Sequence, residues 1–213
     1  MIFDILTLFP EMFVGPFDFS IVKRAQEKKL IEINLHDLRD FAIDERGSVD
    51  DRPYGGGVGM VLRIEPIYEA LNKINKNNKT RTILMDPRGE KFTQKRAKEY
   101  SKLDRLVLVC GHYEGIDERV KENLVDETIS VGDYVLTCGE IPAMIITDAV
   151  TRLISGVLEK HEATEIETFS QKNYKEFPQY TRPEKFNDWK VPEILLSGNH
   201  AKIKKWREKQ NKS

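Results

Sequence analysis

The sequence predicts an α/β domain: a mostly parallel sheet with helices on both faces, followed by a small helical C-terminal domain. Three observations carry this. Short apolar strands alternate with helix-period segments along residues 2–158. Glycine-bearing loops close apolar strands between residues 84 and 142, where an open α/β sheet places its ligand. From residue 159 to 190 aliphatic residues thin out and charges crowd, which marks a linker rather than core.

The elements follow in order. Residues 2–9 read as a buried first strand. Residues 17–30 form an amphipathic helix with Phe17, Ile21 and Ala25 on one face. Ile31, Ile33 and Leu35 alternate with polar residues, so 31–36 is a strand. A long loop runs to residue 60. Ile67, Ala70, Leu71 and Ile74 then repeat at helical spacing. A strand over 81–86 stops at Pro87-Arg88-Gly89, a weak helix covers 94–103, and 106–110 is the next strand. Ile116, Val120 and Leu124 mark a short helix, and 127–136 holds another strand. Pro142 occupies the first turn of an apolar helix reaching about residue 158. The charged linker, 159–190, is expected to be mobile until its aromatics (Phe169, Tyr174, Phe177, Tyr180) dock. Residues 191–196 read as a short strand or extended run. Asn199 caps a final helix with Ile203 and Trp206 inward and lysines outward. The divisions are therefore 1–158, 159–190 and 191–213.

At 213 residues and 39% apolar, the chain can bury one good core or a core plus a small appendage. No apolar run reaches the roughly 18 residues that span a bilayer. The opening MIFDILTLFP is too short for a signal peptide and lacks a basic flank. Cys110 and Cys138 fit neither a zinc spacing nor a disulfide framework, so a reducing, cytoplasmic setting without membrane partners is expected. Net charge is −1, so the molecule as a whole does not attract nucleic acid. Two local stripes are basic: Arg88, Lys91, Lys95, Arg96 and Lys98, and then Lys202, Lys204, Lys205, Arg207, Lys209 and Lys212. Such runs are ordinarily solvated helix faces, yet they are compatible with phosphate contact.

Four constellations stand out. The first is the set of strand-end loops: Leu84-Met85-Asp86-Pro87-Arg88-Gly89; Gly111-His112-Tyr113-Glu114-Gly115; Ser130-Val131-Gly132-Asp133-Tyr134-Val135-Leu136; and Cys138-Gly139-Glu140-Ile141-Pro142. Glycines there let backbone groups approach a flat ligand. Any one of these loops alone is an ordinary β-turn; together, in this order and spacing, they are specific. The second is Val49-Asp50-Asp51-Arg52-Pro53-Tyr54-Gly55-Gly56-Gly57-Val58-Gly59-Met60. No Gly-Lys-Ser/Thr follows it, so it is not a phosphate-cradling P-loop. By composition it is a surface loop. The third pairs Asp148 with Arg152 at helical spacing, which by itself is an exposed ion pair worth roughly 0.3 kcal/mol. The fourth is Ile166-Glu167-Thr168-Phe169, with Glu162 and Glu165 nearby; by composition these are solvated linker charges. His36, His112, His161 and His200 lack metal-ligand spacing, and no metal site is expected from them.

Taken together, these motifs resemble the TrmD-type tRNA (guanine-N1) methyltransferases of the knotted SPOUT class, over residue 1 to about residue 210. The resemblance implies a deep trefoil knot, a feature essentially absent outside a few folds. It implies that S-adenosylmethionine is held by Leu84, Met85, Asp86, Pro87, Gly89, Gly111, Tyr113, Glu114, Gly115, Ser130, Val131, Gly132, Tyr134, Leu136, Cys138, Gly139 and Pro142. Loop backbone groups would match the adenine edges, and carboxylates such as Glu114 and Glu140 would favour the sulfonium. The implied substrate is tRNA with G following the anticodon, methylated at N1 of guanosine 37. Asp50, Arg52, Tyr54, Gly57, Gly59, Arg182 and His200 would contact it. Arg152 matches the arginine assigned to the base's O6, and Glu167 stands where the family has an aspartate as general base. A homodimer whose active site mixes both subunits is also implied, as is magnesium assistance.

The chain departs from the family in four places. Cys138 replaces a glycine, Val58 a proline and Glu167 the aspartate, with one residue fewer after His161; and the chain stops at Ser213, as a compact variant or one domain of a longer fused protein would. Two other readings stay open. A ribose 2′-O methyltransferase of the same class is one, against which the DDRPYGGG loop speaks. A non-catalytic tRNA-binding protein of the same fold is the other, which Glu167 and the early C-terminus keep open.

Overall fold

A computed structural model describes residues 1–159, 167–170 and 174–211. The chain divides into two compact units, Met1–Glu159 and Lys160–Ser213.

In the first unit, β1 (Ile2–Thr7) is flanked by β2 (Glu32–Asp37), and a two-stranded hairpin joins β3 (Asp50–Asp51) to β4 (Val61–Leu62). Then come β5 (Thr80–Lys91), β6 (Arg105–Cys110) and β7 (Glu127–Ser130). The main sheet has the order β2-β1-β6-β5-β7, and every pairing in it is parallel. Side chains alternate across the pleat. Phe3, Ile5, Ile83, Met85, Leu106 and Leu108 therefore face one layer, built from α1 (Ser20–Glu27), α3 (Gln94–Tyr100) and α5 (Glu140–Thr151). Leu6, Leu84, Val107 and Val109 face the other, built from α2 (Ile64–Lys73) and α4 (Glu118–Asn123). Coverage on both faces explains why β6 reads LVLVC without a polar break.

Several elements differ from expectation for identifiable reasons. The helix α1 starts only at Ser20, so it buries Val22 and Ala25 while Ile21 sits at the edge. The strand β5 does not end at Asp86. Pro87-Arg88-Gly89 bulges out and the chain rejoins β7, with Glu90 opposite Ile129 and Lys91 opposite Ser130. Conversely β7 ends at Ser130, and 131–139 is loop. The helix α5 ends at Thr151, where 3-10-type bonds (Leu153 N–H to Val150 O, Ile154 N–H to Thr151 O) tighten the turn, and Gly156 follows at φ +84°.

In the second unit, β8 (Lys185–Phe186) and β9 (Trp189–Lys190) form a short hairpin. Residues 191–196 are not a strand: α6 (Glu193–Leu196) is a single helical turn. The last helix, α7 (His200–Gln210), is capped as expected, with Asn199 Oδ1 accepting from Lys202 N–H at 3.0 Å. Ile203 and Trp206 are half-buried on its inner face. Among the described residues no helix is long and apolar enough to cross a membrane.

Candidate functional site

The C-terminal ends of β5, β6 and β7 and the start of α5 surround a cavity of about 480 Å³. Leu84, Met85, Asp86 and Pro87 line it from β5, and Gly111, Tyr113, Glu114 and Gly115 from the loop after β6. Ser130, Val131, Tyr134 and Leu136 follow from the loop after β7, and Cys138, Gly139 and Pro142 from the entry to α5. Of the residues assigned to the cofactor by resemblance, all line this cavity except Gly89 and Gly132. Both of those act behind the wall. A Cβ on Gly89 would stand 2.5 Å from the Thr128 carbonyl carbon, so glycine there lets the β5 bulge lie on β7. A Cβ on Gly132 would meet the Tyr134 ring at 2.3 Å, and Ser130 Oγ holds the turn by donating to Gly132 O at 2.9 Å.

Glycine is most needed where two loops cross. Gly139 N–H donates to Gly111 O at 2.7 Å. A Cβ on Gly139 would lie 2.5 Å from Gly111 N and 2.7 Å from Cys110 Cα, so no other residue fits without separating the loops.

Glu140 does not face the cavity. It is fully buried, and its Oε1 accepts a hydrogen bond from Thr7 Oγ1 at 2.6 Å. Of the two carboxylates expected to favour a sulfonium, only Glu114 lines the cavity. Some lining residues were not anticipated. Arg88, His112 and Val135 sit inside motifs already visible in the sequence, whereas Val61 and Glu118 arrive only through tertiary packing. Arg88 Nη2 bonds Asp86 at 2.7 Å and Glu118 at 3.1 Å, tying the β5 loop to α4. Burial would raise the Asp86 pKa, but the Arg88 hydrogen bonds and charge outweigh it and hold the carboxyl low.

The DDRPYGGG segment is the loop of the β3–β4 hairpin, and it is joined to the cavity rim. Glu114 N–H donates to Met60 O at 3.1 Å, Leu62 N–H to Gly115 O at 2.9 Å, and Asp117 N–H to Leu62 O at 2.9 Å. Gly59, at φ +82°, passes under Glu114: a Cβ there would meet Glu114 Cγ at 2.5 Å. Asp50 is half-buried at the hairpin base. Burial, and then the charge and hydrogen bond of Asp50, push the Tyr113 phenol up. Arg52, Tyr54 and Gly57 project from the loop into solvent, Tyr54 completely.

Arg152 is the C-cap of α5, half-buried, with its backbone N–H on Asp148 O at 3.2 Å. Glu167 belongs to the second unit, also half-buried, and its carbonyl accepts from Ser170 N–H at 2.9 Å. Glu176 N–H donates to Thr168 Oγ1 at 3.0 Å, which holds this segment to the chain ahead of it. Glu162, Glu165 and the end of the basic run at Lys212 lie outside the described residues. Arg182 and His200 are exposed in the second unit, His200 opening α7. In the same unit the Arg207 guanidinium stacks over Phe177 at 4.5 Å. Among the described residues no group of three or more His, Cys, Asp or Glu side chains converges to hold a metal ion.

The profile of the tRNA (guanine-1)-methyltransferase TrmD family matches residues 1–213. The chain belongs to the TrmD family. It is 56% identical over 208 residues to the tRNA (guanine-N(1)-)-methyltransferase of Carboxydothermus hydrogenoformans, covering 98% of this chain and 81% of that one. The protein of the same description from Dictyoglomus turgidum is 54% identical over 207 residues, covering 97% and 83%. That of Staphylococcus epidermidis is 53% identical, covering 97% and 84%. Among solved structures, the tRNA (m1G37) methyltransferase of Aquifex aeolicus superposes with a TM-score of 0.79 at 44% identity, covering 97% of this chain and 87% of that one. The TrmD likeness thus extends through both compact units.

Proposed function

We propose that this protein transfers a methyl group from S-adenosylmethionine to N1 of guanosine 37 in tRNA. The observation that carries the reading is the seam between the DDRPYGGG hairpin and the cavity rim, where Gly59 passes beneath Glu114. It sets a glycine-rich loop with an outward Tyr54 beside a cavity whose size lies within the roughly 300–1,000 Å³ of small-molecule sites. The backbone crossing at Gly111 and Gly139 forms part of the cavity wall beside which a flat adenine would lie, and Glu114 puts a carboxylate on that wall for a cationic ligand, so the residues present fit the cofactor. The loop crossing is read as part of the trefoil-knotted clasp of the family.

When bound, S-adenosylmethionine supplies an electrophilic methyl group on a sulfonium. The work left to the chain is to make N1 nucleophilic and to aim it. N1 of guanine carries a proton and its lone pair is delocalised toward the ring carbonyl. Glu167 accepts that proton. Removing it drives negative charge onto O6, which the Arg152 guanidinium stabilises, acidifying N1. The cavity walls and the hairpin hold the two reactants in line, so positioning supplies much of the rate. Arg182, His200 and the lysines of α7 hold the tRNA through its backbone. The working form is a homodimer in the cytoplasm, where its substrate is found.

A labelled-methyl transfer assay on tRNA transcripts with and without G following the anticodon tests this. Label is expected only with that G, and on the base. Label on a ribose 2′-oxygen would instead favour the other knotted-class activity, and tRNA binding without transfer a non-catalytic protein. Sedimentation at micromolar concentration is expected to give about twice 24.7 kDa. A fully active monomer would refute the shared site.

A further inference from the structure

Cys110 ends β6, and Cys138 stands two residues before α5. Both are free thiols, and the segments that carry them touch. The bond from Gly139 N–H to Gly111 O is 2.7 Å, and the position a Gly139 Cβ would take is 2.7 Å from Cys110 Cα. The two sulfurs differ in access. Cys110 is 1% exposed and sealed in the core, while Cys138 is 8% exposed and lines the cavity. Burial first, then Glu140 and the neighbouring Cys138 group, push the Cys110 thiol well up, and Cys138 is the thiol that anything entering the cavity meets first.

We propose that Cys138 and Cys110 are a redox-modification site: they form a reversible disulfide across the loop crossing, which distorts the cavity wall and weakens S-adenosylmethionine binding. The affinity half of this rests on the cofactor reading of the cavity given above. The oxidant is a peroxide. The Cys138 sulfur attacks one peroxide oxygen, the O–O bond breaks, and the leaving hydroxide takes the Cys138 proton and departs as water, producing a sulfenic acid. The Cys110 sulfur then attacks the Cys138 sulfur; the S–S bond forms, the S–O bond breaks, and the oxygen departs as water with the Cys110 proton. Two thiols give up two electrons and two protons, and hydrogen peroxide becomes two waters. A thiol reductant reverses the bond by exchange. The disulfide demands a specific geometry. Gly139 already lies against Gly111 with no slack, so the bond displaces Cys138 from the cavity wall it shares with Leu136 and Thr137.

The full chain treated with hydrogen peroxide is expected to lose about 2 Da by intact-mass measurement, recovered with dithiothreitol. Calorimetry on the oxidised protein should show at least a tenfold loss of S-adenosylmethionine affinity, restored by the same reductant. Cys110→Ala, compared with its own reduced form, should gain oxygen at Cys138 in steps of about 16 Da and never lose mass. Wild-type protein that keeps both thiols under peroxide, that cross-links only between chains, or that binds the cofactor equally well when oxidised overturns the proposal. Reduced protein that binds no S-adenosylmethionine defeats the cavity reading instead, and the mass loss then still decides the disulfide.

Discussion

Thr7 donates a 2.6 Å hydrogen bond to the buried carboxyl group of Glu140, joining the end of β1 to the first turn of α5. A carboxyl group is favoured at a helix N-terminus, but here it is wholly buried and its second oxygen has no hydrogen-bond partner among the described residues. The Thr7 hydroxyl therefore matters more than an ordinary surface contact. Thr7→Val is expected to lower unfolding free energy by roughly 1–3 kcal/mol, the cost of leaving a buried polar group unmatched. Urea denaturation measures this. Because Glu140 anchors the loop that carries Cys138 and Gly139, cofactor affinity should fall as well; a variant as stable and as tight-binding as the parent would mean the bond positions nothing.

Gly139→Val is expected to abolish S-adenosylmethionine binding without tRNA present, as read by calorimetry. The reason is backbone, not ligand space: the new Cβ would overlap Gly111 N and Cys110 Cα and force the crossing loops apart. Gly111→Val should also lose affinity, but its Cβ meets Met85 O only at 3.4 Å, so the branched methyls rather than the Cβ do the damage, on the cavity side. Undiminished affinity in both variants would contradict the cavity as cofactor site.

Glu167→Gln keeps the shape of the side chain and removes the proposed base. Cofactor and tRNA affinity should stay nearly unchanged while the single-turnover rate falls by roughly two to four orders of magnitude. On the proposed assignment, glutamate's extra methylene relative to aspartate offsets the one-residue-shorter segment leading to it. Should Glu162→Gln or Glu165→Gln abolish the rate while Glu167→Gln spares it, the base is one of those neighbours. Arg152→Ala is expected to cost roughly 100- to 1,000-fold in rate, as for a removed oxyanion donor. A purely weaker tRNA affinity would reassign it to binding.

Asp4 on β1 is 2% exposed. Burial would raise its pKa, but the 2.8 Å bond to His36, the Arg105 charge and the Asn34 amide outweigh burial and hold it below the ordinary value of 3.8. Ionised Asp4 thus stabilises the fold in full above pH 3.8, and that contribution disappears as pH falls through the lowered folded value. Asp4→Asn should be less stable at pH 7, and its stability should fall less steeply below pH 4 than the parent's; parallel acid-unfolding curves would remove Asp4 from the account.

The sequence by itself determined the α/β class, because two-sided apolar strands and helical spacing are local patterns that survive any packing. It also determined where the cavity would lie, because strand-end loops of a parallel sheet open on one edge whatever their details. Local pattern misjudged 191–196, since four residues of α6 are too few for a helical period to differ from an apolar extended run. The tertiary structure alone decided which side of a loop each residue serves. Glu140 looked like a ligand carboxylate until β1 brought Thr7 against it. Gly89 and Gly132 looked like ligand-facing glycines, yet each makes room for protein. Glu114 and Gly59, far apart in the chain, meet only because β4 pairs with the loop after β6. These roles depend on which distant backbone stands within a few ångströms, and a one-dimensional spacing carries no record of that distance.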